Sequence, residues 1–181
     1  MNRTASRIGE SSNNNLRIAL HYIEAFKILY NSSQYQDVIV LPALFMVRQF
    51  LELGLKYNIQ KLNAISASNN LMGLDKSGML TLYSVHSLTS LHNAYVEHYV
   101  SAKKQKKLSG LKDQKFLDDL RQLVDIVSPL DEGSQGFRYA ENTSGAKIID
   151  RSEVFNLKEV YELLEDVTVL LSHTEDVFGL S

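Results

Sequence analysis
The chain has 181 residues, 44% of them hydrophobic and 22% charged, with a formal net charge of −2. That length suits one domain with a sizeable core, and the charge balance excludes a global field drawing in nucleic acid or acidic membrane. There is no cysteine, so disulfides, thiolate metal sites and cysteine nucleophiles are excluded together, and a reducing compartment is the expectation.

The N-terminal residues run from Arg3 to Asn15 without an apolar stretch, so no signal peptide is expected there. Residues 1–14 are expected to be disordered. The longest apolar run, Val38 to Val47, contains Pro42 and closes on Arg48. It falls well short of the roughly 20 residues a bilayer span needs. The expectation is therefore a cytoplasmic protein with no membrane attachment.

Helical periodicity starts at Leu16. Leu16, Ala19, Ile23, Phe26 and Tyr30 follow one another at steps of three and four, with Arg17, His21, Glu24 and Lys27 opposite. Asn31-Ser32-Ser33 closes this first helix. The second is expected to start between Asp37 and Pro42 and to reach about Leu62, with Asp37 as cap and Pro42 in the first turn. Its first half is apolar on nearly every side, from Leu41 through Leu44, Phe45, Val47, Phe50 and Leu51 to Leu55. Such a helix is buried on most sides, which makes it the expected centre of the fold.

Residues 66–84 are rich in Ser, Asn and Gly and read as a connection, with a short strand at Met79 to Tyr83. A third helix is predicted from Ser87, with Leu88, Leu91, Tyr95 and Tyr99 on one face. It ends in Lys103-Lys104-Gln105-Lys106-Lys107 and Ser109-Gly110, cations suiting a helix C-terminus and glycine a stop. The fourth carries the stripe Phe116, Leu117, Leu120, Leu123, Val124, Val127 and stops at Pro129. Between Asp131 and Ser152, Phe137 to Ala140 and Ala146 to Ile149 flank a polar turn, the pattern of a β-hairpin. The last helix opens with Asn156 as cap and Glu159 three residues on. The predicted fold class is all-α: a bundle of about five helices in one domain over residues 1–181, with a small β-hairpin insertion before the last helix.

No phosphate-binding glycine loop, dinucleotide fingerprint, nucleophile elbow or zinc-binding His-Glu helix is present. Of the five histidines (His21, His86, His92, His98, His173) no two are four residues apart, so neither a metal site nor a cofactor is expected. Arg48, Glu52 and Lys56 fall on one stripe of the central helix. Buried charges demand partners, so the stripe is either an anion or nucleotide site or an internal salt-bridge ladder, joined by Arg138 from the hairpin. Phe137 and Tyr139 beside Arg138 suit a loop closing over a ligand, and equally a plug in the bundle. Clustered Lys103 to Lys107, Lys112 and Lys115 suit phosphate backbones, or simply a solvated helix end. His92 and His98 on the third helix are imidazoles able to move protons near neutral pH, or plain surface and interface residues.

Leu44-Phe45-Met46-Val47-Arg48-Gln49-Phe50-Leu51-Glu52-Leu53-Gly54-Leu55-Lys56, then His86-Ser87-Leu88-Thr89-Ser90-Leu91, then Phe137-Arg138-Tyr139 resemble, in that order, blocks of uncharacterised members of the HEPN superfamily. The resemblance implies a dimerising helical bundle of bacterial stress, toxin–antitoxin or phage-defence systems, with RNA and a cognate antitoxin or defence protein as partners. Many such proteins are metal-independent endoribonucleases with an Arg, polar residue, four variable residues and His. The nearest match here is His92, Asn93 and His98, implied as the catalytic set, with a histidine where the family has arginine. Other members are non-catalytic binding or assembly modules, and that alternative stays open. The homodimer interface is expected on the third helix around Tyr95 and Tyr99.

Overall fold
A computed structural model describes residues 14–66, 82–130 and 154–180. Within them lie five long helices: α1 (Asn15–Tyr30), α2 (Gln36–Leu62), α3 (Leu88–Gln105), α4 (Gln114–Val127) and α5 (Leu157–Phe178). A 3₁₀ turn, Ser128–Leu130, follows α4 at Pro129. The fold is an all-α helical bundle, with no strand among the described residues. The predicted hairpin at 137–149 lies outside them, as does most of the N-terminal tail. Asn14, predicted to belong to that tail, instead caps α1, its side-chain oxygen accepting the Arg17 N–H at 2.9 Å. Of the predicted strand Met79 to Tyr83, Leu82 and Tyr83 are described, and they form a helical turn with Ser84.

Caps and stripes explain the element boundaries. Ser87 accepts from the Ser90 N–H, and Asn156 accepts from Lys158 and Glu159 N–H, so each satisfies orphan donors of a first turn. Two boundaries differ from the sequence expectation. α2 starts at Gln36 with Tyr35 as a cap that makes no side-chain bond, which puts Pro42 inside the helix. Proline there removes the bond to the Val38 carbonyl, a loss that is tolerable because Val38 is exposed and water can satisfy the group. α3 ends in a left-handed Lys107 at φ 56°, not at Gly110. Leu108 N–H bonds to Lys103 O and Lys107 N–H to Lys104 O, a Schellman stop built with lysine where glycine is usual.

α2 is the hub, packing against α1, α3, α4 and α5. By length and composition it is the one described helix apolar enough to cross a membrane, with a mean hydropathy of 1.8 over a window of 18 residues. More than half of that window is buried inside the fold, as its all-round apolar first half predicts. The buried side chains of all five helices form one continuous core, from Ala19, Ile23 and Phe26 to Leu171 and Phe178. α5 packs tightly on α2 at Gly54, where an added Cβ would stand 3.0 Å from Leu171 Cδ1. One methyl there can be met by rotation of Leu171, but a β-branched side chain cannot. Gly54→Val is therefore expected to cost about 1–3 kcal/mol through overpacking, while Gly54→Ala stays near the parent in a urea melt.

Candidate functional site
The stripe Arg48, Glu52, Lys56 is a ladder, and it lies inside the fold. Arg48 has no exposed surface, and Glu52 and Lys56 are 7% and 4% exposed. Arg48 Nη1 donates to Glu52 Oε2 at 2.6 Å, and Lys56 Nζ donates to Glu52 Oε1 at 2.7 Å. Four-residue spacing on a helix sets these contacts locally. The second set comes from the segment entering α3: Arg48 Nη2 donates to the His86 carbonyl at 3.0 Å and Lys56 Nζ to the Tyr83 carbonyl at 3.1 Å. The same segment brings the His86 ring, whose Nδ1 stands 3.0 Å from Glu52 Oε1. Arg138, expected to join the ladder, lies outside the described residues.

Burial pushes the Glu52 carboxyl up, but the hydrogen bonds and charges of Lys56 and Arg48 outweigh it and hold it below the usual carboxylate range. Glu52 is therefore ionised at neutral pH and can only accept. His86 must then carry its proton on Nδ1, which leaves Nε2 as the reactive nitrogen in the neutral ring. The His86 side chain is 49% exposed. The arrangement is a half-exposed imidazole oriented by a buried carboxylate, the base-and-orienter geometry of proton-transfer sites. Among the described residues, Arg48 and Lys56 share this one carboxylate with the His86 ring.

The residues named from the family motif are placed differently. His92 is partly buried on α3 and its Nδ1 lies 3.3 Å from Asn93 Oδ1. Burial pulls its basicity down, against smaller opposing effects of Asn93 and Asp125, which works against a protonated His92 standing in for the family arginine. Asn93 is exposed. His98 has no exposed surface at all, so within this chain it sits in the core and does not share an open cleft with His92 and Asn93. Tyr95 and Tyr99, expected at a dimer interface, are 0% and 2% exposed. Tyr95 bonds to Thr174 at 3.0 Å, and Tyr99 packs edge-on against Phe178. Both rings belong to the chain's own core.

Two further polar clusters went unforeseen. Asp113 accepts from Lys103 at 2.6 and 2.8 Å and from the Tyr99 hydroxyl at 2.9 Å. Glu175 accepts from Tyr57 and Lys61, tying the C-terminal ends of α2 and α5 together. His86 stood among the five candidate histidines but in neither predicted site. Its signal was indirect: it precedes Ser87, the helix cap, within one of the blocks that carry the family likeness. Comparison with protein-family models, curated proteins and solved structures finds no match. The fold and site thus define a helical-bundle protein with a buried charge ladder that holds one accessible imidazole.

Proposed function
We propose that this chain is a HEPN-like dimeric helical protein of bacterial stress or phage defence that acts on RNA, with His86 as its acid–base residue. The observation that carries the reading is the His86 ring, half exposed, with Nδ1 held by ionised Glu52 beside two buried cations. Buried positive charge acts on a nearby phosphate through a low dielectric, where it is weakly screened. His86 Nε2 takes the proton of an RNA 2′-hydroxyl, and the 2′-oxygen attacks the adjacent phosphorus. The bond from phosphorus to the 5′-oxygen breaks, and that oxygen takes a proton from a water that the His86 imidazolium reprotonates, which returns the ring to neutral. The products are a 2′,3′-cyclic phosphate and a 5′-hydroxyl end.

The test is incubation of the purified chain with single-stranded RNA and tRNA between about pH 5.5 and 8, around the ordinary histidine range. Cleavage that survives EDTA, fails on 2′-deoxy substrates and depends on His86 supports the proposal. Intact RNA throughout removes it. One observation favours a second reading, a non-catalytic binding or assembly module: Arg48, Glu52 and Lys56 satisfy one another inside the fold, as a purely structural ladder would. The dimer, proposed from the family likeness, uses a face other than Tyr95 and Tyr99, since both are buried within the chain. Light scattering is expected to give twice the chain mass of 20.5 kDa; a monomer mass at high concentration would count against it.

A further inference from the structure
Away from the ladder, α3, α4 and α5 enclose a half-open pocket of about 100 Å³. Tyr99, Leu111 and Phe116 line it on one side and Val169, His173 and Val177 on the other. The last three are spaced by four residues and share one stripe of α5. This stripe takes no part in the buried face of α5: Val169 and Val177 are 45% and 39% exposed, leaving an apolar lip on the surface. The one acid in the pocket wall, Asp113, is neutralised by Lys103. At the rim His173 Nδ1 stands 3.7 Å from Asp176.

The side of the pocket formed by the segment between α3 and α4 is lysine-rich, while the α5 side carries Asp176. From Lys103 to Lys112 the chain carries five lysines and no acid, against a formal net charge of −2 for the whole. Lys103 also donates to the Leu111 carbonyl at 3.1 Å, and the Schellman stop at Lys107 turns the chain back. Together they hold Lys106 and Lys107 on the segment leading into the pocket wall, while Lys112 itself lines it. Lys104, Lys106, Lys107 and Lys112 are all exposed.

We infer that this pocket takes one unstacked base of a single-stranded RNA, with the flanking phosphates on Lys104, Lys106, Lys107 and Lys112. At about 100 Å³ the enclosed part is smaller than the roughly 150 Å³ apolar cavity that holds benzene, so one flat ring enters in part and the rest lies across the open apolar lip. Phe116 and His173 bring rings to the pocket lining, the residue types on which splayed bases stack, and the lysines supply the backbone contacts. The inference rests on the RNA reading and gives it a second contact point, distinct from His86.

The test is fluorescence anisotropy of the full chain with a labelled oligouridine of roughly ten nucleotides, against an abasic strand of the same length. At low salt the base-bearing strand is expected to bind about tenfold tighter, the equivalent of one stacked base at about 1.4 kcal/mol. Val177→Asp, at an exposed position, should abolish that preference, and Val169→Asp should repeat the effect. Both variants are checked for a parental helical melt. Charge reversal of Lys104, Lys106 and Lys107 should weaken both strands and flatten the salt dependence. Equal binding of the two strands by the parent, or a preference that survives Val177→Asp and Val169→Asp, overturns the base pocket; the lip then belongs to a protein partner. If RNA is bound or cleaved through His86 regardless of these changes, the pocket fails and the RNA reading stands. If no strand binds and none is cut, both fall.

Discussion

Glu52→Ala is expected to destabilise the fold by about 3–5 kcal/mol, the cost of stranding buried cations whose shared counter-charge is gone. Arg48 and Lys56 are almost wholly buried and both donate to this one carboxylate. The variant keeps their bonds to the His86 and Tyr83 carbonyls and removes the carboxylate that both cations share. Urea unfolding followed by circular dichroism measures the loss directly. Melting at the parental midpoint would show that the ladder is dispensable to the fold, and that its charges serve a ligand. The pH dependence has a definite sign. The carboxyl of folded Glu52 lies below its ordinary value of 4.5, so the unfolded chain binds that proton more readily. The stability Glu52 contributes is thus complete above about pH 4.5 and is lost as pH falls through the folded value. The gap between parent and Glu52→Ala should therefore be full at pH 7 and narrow on acidification below that point. Asp113 and Glu175 are held low in the same sense by their lysine and tyrosine partners, so the parent loses stability over the same acid window.

His86→Ala is expected to reduce RNA cleavage by about 10²–10⁴-fold, the usual worth of a positioned acid–base group. Its effect on stability should stay small by comparison, because the His86 side chain is half exposed and the Arg48 bond goes to the His86 backbone carbonyl, which alanine keeps. Three comparators separate chemistry from folding. Asn93→Ala, at an exposed position, should leave cleavage near the parental rate. His92→Ala, partly buried on the same helix, should do the same with a modest loss of stability. His98→Ala should lower the melting temperature, since it opens a void in the core. A loss of cleavage in His98→Ala with an unchanged melt, beside an active His86→Ala, would return the chemistry to the family motif.

The helices were legible because their causes are local. A stripe such as Leu120, Leu123, Val124 and Val127 needs only the helical period, and the caps Ser87 and Asn156 act within three residues of themselves. Where local signals competed, the boundary moved. Pro42 reads as a first-turn residue, yet α2 begins six residues before it, because burial of Ile39 and Ala43 holds the extra turn in place. Gly110 reads as a helix stop, but Lys107 had already taken the left-handed turn.

Helical period alone pointed to an all-α bundle and its central helix, and it put Arg48, Glu52 and Lys56 on one stripe, with ladder and ligand site both open. Packing set what those charges meet. His86 reaches Glu52 across 34 residues of chain, a contact that no periodicity encodes. It also decided which histidines and tyrosines of α3 face water. That helix packs against both α2 and α4, so His98, Tyr95 and Tyr99 are covered while His86, just before its first turn, stays open. Periodicity shows which residues share a face, but only the packing of neighbouring helices shows how many faces are covered.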